Sequence, residues 1–310
     1  MTESGGKPKA IPTKSVLARA FYESDFAWET AREMRRTAWE ARPVEPLDVV
    51  IGPEAVSANG EEEDVRGKGQ ETWERLYKTR GEAMFKTRRY MIKAFPELQE
   101  TLDVSTDLTL MDLGCGAGAS LVPILKYFQG ACVDHKREMT VLASDISGEA
   151  VELLEWSVEK QLMAESSSAV RLETTTWDLT KPIPDESWLN RGDFGTLIFT
   201  LSAIHPDYQL ESLRNCVTTL KPNGRLLFRD YGAYDMIQER CKKRVGEWTV
   251  IKLDGVLCTF YTVDRLSKLF QDAGLALDEP PRYCMVRNVN RKQQSEMLRV
   301  FIRAVGRRIA

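Results

Sequence analysis

Three glycines at alternate positions, Gly114, Gly116 and Gly118, follow the short apolar run from Leu108 to Leu113, and Asp112 stands two residues before the first of them. Glycine lets backbone approach a ligand closely, and a strand turning sharply into a helix presents amide groups to it. The chemistry on offer is the binding of a nucleoside-containing cofactor. The spacing does not say which one, because GCGAGA also passes a loose dinucleotide pattern that tolerates alanine at its last position. Two further aspartates, Asp145 and Asp178, close the next two strand-like runs. One strand-end aspartate is more often a cap or loop carboxylate; three in register with a glycine turn point to a binding crevice. Asp145 is placed to accept hydrogen bonds from two ribose hydroxyls, which NAD would also offer. Asp178 followed by Leu179 suits an adenine amino group beside an apolar contact on the ring, and with Asp112 this favours S-adenosylmethionine over NAD.

Those residues need a sheet to bring them to one edge. From Leu108 the pattern alternates, with strands expected at 108–113, 140–145, 169–175, 193–201 and 225–230 and helices near 119–128, 148–162 and 208–219. LKPNGR reads as a turn with Gly224 at its corner. A helix at 262–273 and strands near 282–289 and 297–305 complete a seven-stranded, mostly parallel, doubly wound α/β sheet. Ligands bind such sheets in the crevice beyond the carboxyl ends of the strands.

Upstream, residues 1–20 are polar and expected to be disordered. A helix is expected near 24–42, with Phe26, Ala27, Ala31, Met34 and Ala38 on its apolar face, and a loop from Pro43 to Gly69 carries the run Glu61 to Asp64. The division that follows is an N-terminal extension at 1–69, a helical block at 70–107 and the sheet domain at 108–310. In the block, Trp73 and Tyr77 lie four apart on one helix face, and Phe85, Lys86, Arg88, Arg89, Tyr90 and Lys93 interleave aromatics with positive charge. One reading is a cap helix that packs its aromatics and solvates its charges. The other is a lid over the cofactor followed by a nucleic-acid contact.

Composition sets the bounds. The 310 residues carry a formal charge of −3, two histidines and six cysteines without paired spacing. That argues against a zinc module, a catalytic metal and a secreted disulfide framework. No apolar run approaches a membrane span. The N-terminus lacks the apolar core of a secretory signal; Lys7, Lys9, Lys14 and Arg19 leave mitochondrial targeting open, and Glu3 and the sparse arginine argue against it. A cytoplasmic or nuclear location is expected. His205 reads as a base or as a structural hydrogen-bonding group. Asp207, Asp230 and Asp235 form a second acidic set, with helix capping as their plainer role.

The motifs MDLGCGAG, ASDIS and WDLT resemble the cofactor motifs of many Rossmann methyltransferases. More specific are IFTLSAIHPD at 198–207, LKPNGRLLFRDYGAYD at 220–235 and WERLYKTRGEAMFKTRR at 73–89. Together they resemble the methyltransferase-like enzymes that make 3-methylcytidine in transfer RNA, over about residue 70 to the C-terminus. The resemblance implies a class I Rossmann-like fold, S-adenosylmethionine as cofactor and tRNA as partner. An aminoacyl-tRNA synthetase or another tRNA-modifying protein is a further possible partner, as some relatives need one. It implies that Trp73, Tyr77, Asp112, Gly114, Cys115, Gly116, Gly118, Asp145, Ile146, Asp178, Leu179 and Ile198 form the cofactor pocket, and that Phe85, Lys86, Arg88 and Arg89 face the RNA. His205, Asp207, Arg229, Asp230 and Tyr231 would then position the base or offset the charge it acquires. Two motifs depart from the family pattern: FKDRHW stands here as FKTRRY, and RxDGT as Lys252 to Val256, KLDGV. On residues alone the methyl acceptor stays open among RNA, a protein side chain and a small molecule, as does a non-catalytic RNA-binding adaptor with a vestigial pocket.

Overall fold

The computed structural model describes residues 25–45, 65–100, 107–132, 138–163, 170–290 and 295–309. The expectations for residues 1–20 and for the acidic run at 61–64 lie outside them.

The buried runs of the second half form parallel strands β1 (Leu108–Leu113), β2 (Met139–Asp145), β3 (Val170–Thr176) and β4 (Gly192–Ile198), followed by β5 (Leu220–Tyr231). A three-stranded insertion comprises β6 (Lys243–Arg244), β7 (Thr249–Ile251) and β8 (Leu257–Thr259), and the chain ends with β9 (Leu275–Leu277), β10 (Arg282–Asn290) and β11 (Ser295–Arg308). The main sheet runs β10-β11-β5-β4-β1-β2-β3, with β9 paired to the end of β11. That is eight strands, one more than the expected seven, because Leu275 to Leu277 pairs with Gly306 to Arg308. β11 is antiparallel to β5 and to β10, while β1 to β5 pair in parallel. The order reverses between β1 and β4, which opens the crevice in front of the glycine turn.

The helices are α1 (Trp28–Glu40), α2 (Val65–Arg80), α3 (Met91–Ala94), α4 (Glu97–Glu100), α5 (Leu121–Cys132), α6 (Gly148–Val158), α7 (Gln209–Thr218), α8 (Met236–Arg240) and α9 (Val263–Asp272). On one face of the sheet Phe95, Leu121, Leu125, Phe128 and Leu154 join a core with Leu110 and Val141; on the other, Leu213, Leu266 and Phe270 pack over Met111, Leu142 and Phe228. The expected helix at 148–162 ends earlier as an α-helix and continues as one π-helical turn, Glu159–Met163.

Two local expectations change. The LKPNGR segment lies within β5: its pairing steps from Gly192 opposite Leu220 to Phe194 opposite Arg225, so Lys221 to Gly224 bulge out, with Asn223 at φ 64°. In α1 the buried positions are Ala31, Arg35 and Trp39, spaced by four, while Met34 is 62% exposed. Arg35 is tolerated inside because its guanidinium donates to the Tyr234 carbonyl and to Glu239. α1 thus docks on the insertion, where Trp39 stacks on Trp248 and Arg244.

Candidate functional site

The glycine turn is shaped by what stands against it. Gly114, Gly116 and Gly118 all have positive φ (80°, 52° and 82°). A side chain on Gly114 would collide with Thr200, and one on Gly116 would reach within 2.5 Å of the Tyr77 hydroxyl. Gly118 differs: a Cβ there would press on Leu154 and Val122, so this glycine serves the packing of α5 and α6 and is not among the residues lining the cavity described below. The Gly114 and Cys115 amides both donate to the Ser144 carbonyl at 2.8 Å, which locks the turn onto the end of β2.

Asp145 joins the same unit. Its Oδ2 accepts the Gly116 amide at 2.8 Å and its Oδ1 the Ser147 amide at 3.0 Å. Each oxygen keeps a second lone pair for a ligand donor. Burial pushes its carboxyl up to about 6, against the lowering effect of those two hydrogen bonds. At the end of β3, Asp178 Oδ1 accepts the Thr180 amide and hydroxyl at 2.9 and 2.8 Å, and Leu179 is buried beside it.

These groups open into one cavity of about 1310 Å³. Of the residues expected to bind cofactor, Trp73, Tyr77, Gly114, Cys115, Gly116, Asp145, Ile146, Asp178, Leu179 and Ile198 line it. Asp112 does not. It is buried behind the turn, where Oδ1 accepts the Thr196 hydroxyl at 2.6 Å and Oδ2 has no partner, and burial raises its carboxyl to about 6.

The other end of the cavity is aromatic and cationic. Phe199, at φ 58° just after β4, packs 5.2 Å from Tyr231 and 5.5 Å from Phe301. Arg88 lies 4.9 Å over Phe199 and donates to the Ser120 hydroxyl at 2.9 Å. Arg299 lies 4.9 Å over Phe301, with its Nε held by Asp235 at 2.9 Å. Phe85, Lys86, Arg88 and Arg89 all line this cavity, and Phe85, Lys86, Arg89 and Lys93 are exposed on its rim.

The residues expected to act on the base divide. His205 and Tyr231 line the cavity. Tyr231 is held protonated by burial, and His205 Nδ1 accepts the Asp207 amide at 3.3 Å. Asp207 points into solvent, with its side chain 81% exposed, and does not line the cavity. Asp230 is completely buried: its oxygens accept the Ser202 amide at 2.9 Å and the Tyr231 amide at 2.9 Å, so it braces the turn after β4. Arg229 is 1% exposed and sits 5.3 Å from the Tyr90 ring and 4.9 Å from that of Phe301, behind the cavity wall. Asp235 caps α8 and pairs with Arg299. Of the second acidic set, Asp230 and Asp235 are therefore structural bracing and Asp207 faces solvent, and among the described residues the carboxylates lining the cavity are Asp25, Asp145 and Asp178.

Phe199, Thr200, Arg299 and Phe301 were not singled out from the sequence. The available signal was the alternation in β11, where Arg299, Phe301 and Arg303 interrupt an otherwise apolar series with cations and an aromatic on one face. Among the described residues no three metal-ligating side chains converge, and no helix is long and apolar enough to cross a membrane.

A family model described as a methyltransferase domain matches residues 82–279. The chain is 31% identical over 240 residues to the human tRNA N(3)-cytidine methyltransferase METTL6, covering 76% of this chain and 79% of that protein. It is 32% identical over 242 residues to a Saccharomyces cerevisiae tRNA(Thr) (cytosine(32)-N(3))-methyltransferase, covering 75% of this chain and 36% of the yeast protein's length. Among solved structures, a SAM-dependent methyltransferase from Methanosarcina mazei shares the fold, with a TM-score of 0.53, 15% identity and coverage of 69% of this chain and 97% of that one.

Proposed function

Since this chain belongs to the tRNA N(3)-cytidine methyltransferase family, we propose that it transfers a methyl group from S-adenosylmethionine to N3 of an unpaired cytidine in tRNA, at position 32 of the anticodon loop. The observation that carries this reading is one cavity with two unlike ends: the glycine turn with Asp145 at one, and the Phe199, Tyr231 and Phe301 wall under a cationic rim at the other.

The residues present fit the cofactor. Gly114 and Gly116 leave backbone where a Cβ would close the space, Asp145 retains acceptor capacity for ribose hydroxyls, and Asp178 with Leu179 offers a polar and an apolar contact for adenine. Bound S-adenosylmethionine supplies an electrophilic sulfonium methyl group. Trp73 and Tyr77 cover that end and exclude water. Cytosine N3 carries a free lone pair at neutral pH, so the chain needs to supply alignment rather than a strong base. N3 is occupied in a base pair, which restricts the substrate to an extruded or loop cytidine. The aromatic wall offers faces for the base to stack on, and methylation at N3 makes the ring cationic, a charge those faces favour. Lys86, Arg89 and Lys93 meet the phosphate backbone.

The test is methyl transfer by purified chain to unmodified tRNA, read as 3-methylcytidine by mass spectrometry, with and without an added aminoacyl-tRNA synthetase. Product on a cytidine-32 tRNA, lost when that base is replaced by uridine, is the expected result. Methyl label on protein or small molecules with none on RNA overturns the substrate. Residence in the cytoplasm or nucleus belongs to the same proposal.

A further inference from the structure

The segment covering the cavity is fastened by a face of its own helix. Along α2, Glu74 and Lys78 lie four apart and share one side, and Glu82 follows in the 3₁₀ turn Gly81–Met84, after the helix breaks at the positive φ of Gly81. Each meets α6 or the loop that leads into it. Glu74 Oε1 accepts the Gly148 amide at 2.8 Å, and its Oε2 accepts the Ser147 hydroxyl at 3.1 Å and the Glu149 amide at 3.3 Å. Lys78 Nζ lies 3.3 Å from Glu149 Oε1, and the Ser157 hydroxyl donates to Glu82 Oε1 at 3.2 Å. One residue back from Glu74 and Lys78, Trp73 and Tyr77 face the cavity with ring centroids 6.0 Å apart.

Glu74 therefore sets a carboxylate on the N-terminus of an 11-residue helix, where amides lack intrahelical partners and the dipole favours negative charge. Ser147, which Glu74 holds, already accepts the Ala150 amide as N-cap and donates its own amide to Asp145. A continuous run of hydrogen bonds thus leads from Glu74 through Ser147 and Asp145 to the Gly116 amide. Glu74 itself does not line the cavity.

We propose that Glu74 is a positioning residue for cofactor binding: by docking α2 onto α6 it holds the Trp73 and Tyr77 cover and the Asp145 loop in a single geometry, so cofactor affinity depends on a carboxylate the cofactor never touches. This rests on the reading of the cavity as the S-adenosylmethionine site. A carboxylate that merely capped α6 would change thermal stability and leave affinity alone.

Calorimetric titration of the wild-type, Glu74→Gln and Glu74→Ala chains with S-adenosylhomocysteine separates the two, alongside amide hydrogen exchange at Gly148 and Glu149 and turnover at saturating cofactor. The expected result is affinity weakened about tenfold in Glu74→Ala and about threefold in Glu74→Gln, which keeps one acceptor oxygen and the side chain's shape. Exchange at the two amides rises, and kcat stays within about twofold of wild type, as for a group acting on binding alone. Equal affinities in all three chains, or a loss confined to kcat, overturn the coupling. Absence of binding by wild type overturns the cofactor reading and this inference with it. Should Glu74→Ala fail to fold, the comparison of Glu74→Gln with wild type decides.

Discussion

The Gly116 amide donates to Asp145 Oδ2 at 2.8 Å, so the turn that ends β1 and the carboxylate that ends β2 are a single hydrogen-bonded unit. Burial places the Asp145 carboxyl at about 6, and it must be ionised to accept from a ligand's hydroxyls on both oxygens. Affinity for S-adenosylhomocysteine is therefore constant above that value and falls as pH drops through it, by about tenfold per unit below. Titration calorimetry from pH 5 to 8 checks this. Asp145→Asn should bind weakly with a flat profile, and a flat profile in the wild type removes Asp145 from this role.

Asp112 carries its own pH signature, independent of any ligand. Its native carboxyl, near 6, lies above that of an unfolded aspartate. The folded chain thus binds more protons between about pH 4 and 6, and this group adds stability as pH falls through that window and loses it as pH rises. Asp112→Asn stays neutral throughout. In thermal melts it should lower the fall in stability from pH 4 to 6 by on the order of 2 kcal/mol relative to wild type.

Gly116→Ala should abolish cofactor binding, because its Cβ would come within 2.5 Å of the Tyr77 hydroxyl, at a backbone conformation that alanine resists. Gly118→Ala should lower the melting temperature, since its Cβ presses on Leu154 and Val122. The melts and titrations of the two variants together distinguish ligand approach from packing.

On the rim, replacing Lys86, Arg89 and Lys93 together by alanine removes exposed cations with little structural cost. The slope of log affinity for an anticodon stem-loop against log salt should shrink by about 2, given roughly 0.7 per phosphate contact on unpaired RNA. An unchanged slope would place the RNA elsewhere on the surface.

Asp207→Asn should leave turnover within about twofold of wild type, as exposed polar changes usually do. Asp230→Asn should destabilise the chain by about 1–3 kcal/mol, because an amide group would face the Ser202 and Tyr231 donors at a buried site. A thermal melt with a steady-state assay at a temperature where both variants are folded separates the two effects. A large kcat defect in Asp207→Asn would return that carboxylate to the chemistry.

Much of the cofactor end was legible in the sequence, because it is built from contiguous motifs. The strand, glycine turn and helix around Gly114, and the acids at Asp145 and Asp178, each follow from local pattern, and parallel pairing then brings them to one edge. The insertion at β6 to β8 was not legible, since strands of two or three residues carry no periodicity. The aromatic wall was only partly legible: Tyr231 was named, but Phe199 depends on an unusual backbone angle, and Arg299 and Phe301 come from a strand that inserts antiparallel beside β5.

The sequence by itself determined which donor the cavity suits and the motifs that carry the likeness to tRNA methyltransferases. Only the tertiary structure decided which acids face the cavity. Asp145 and Asp230 both end strands and both read as candidates, yet one opens on the crevice and the other is spent on the Ser202 and Tyr231 amides. Residue type and strand end are local properties. The partners that consume a carboxylate's lone pairs come from elsewhere in the chain, so folding alone reveals which are taken.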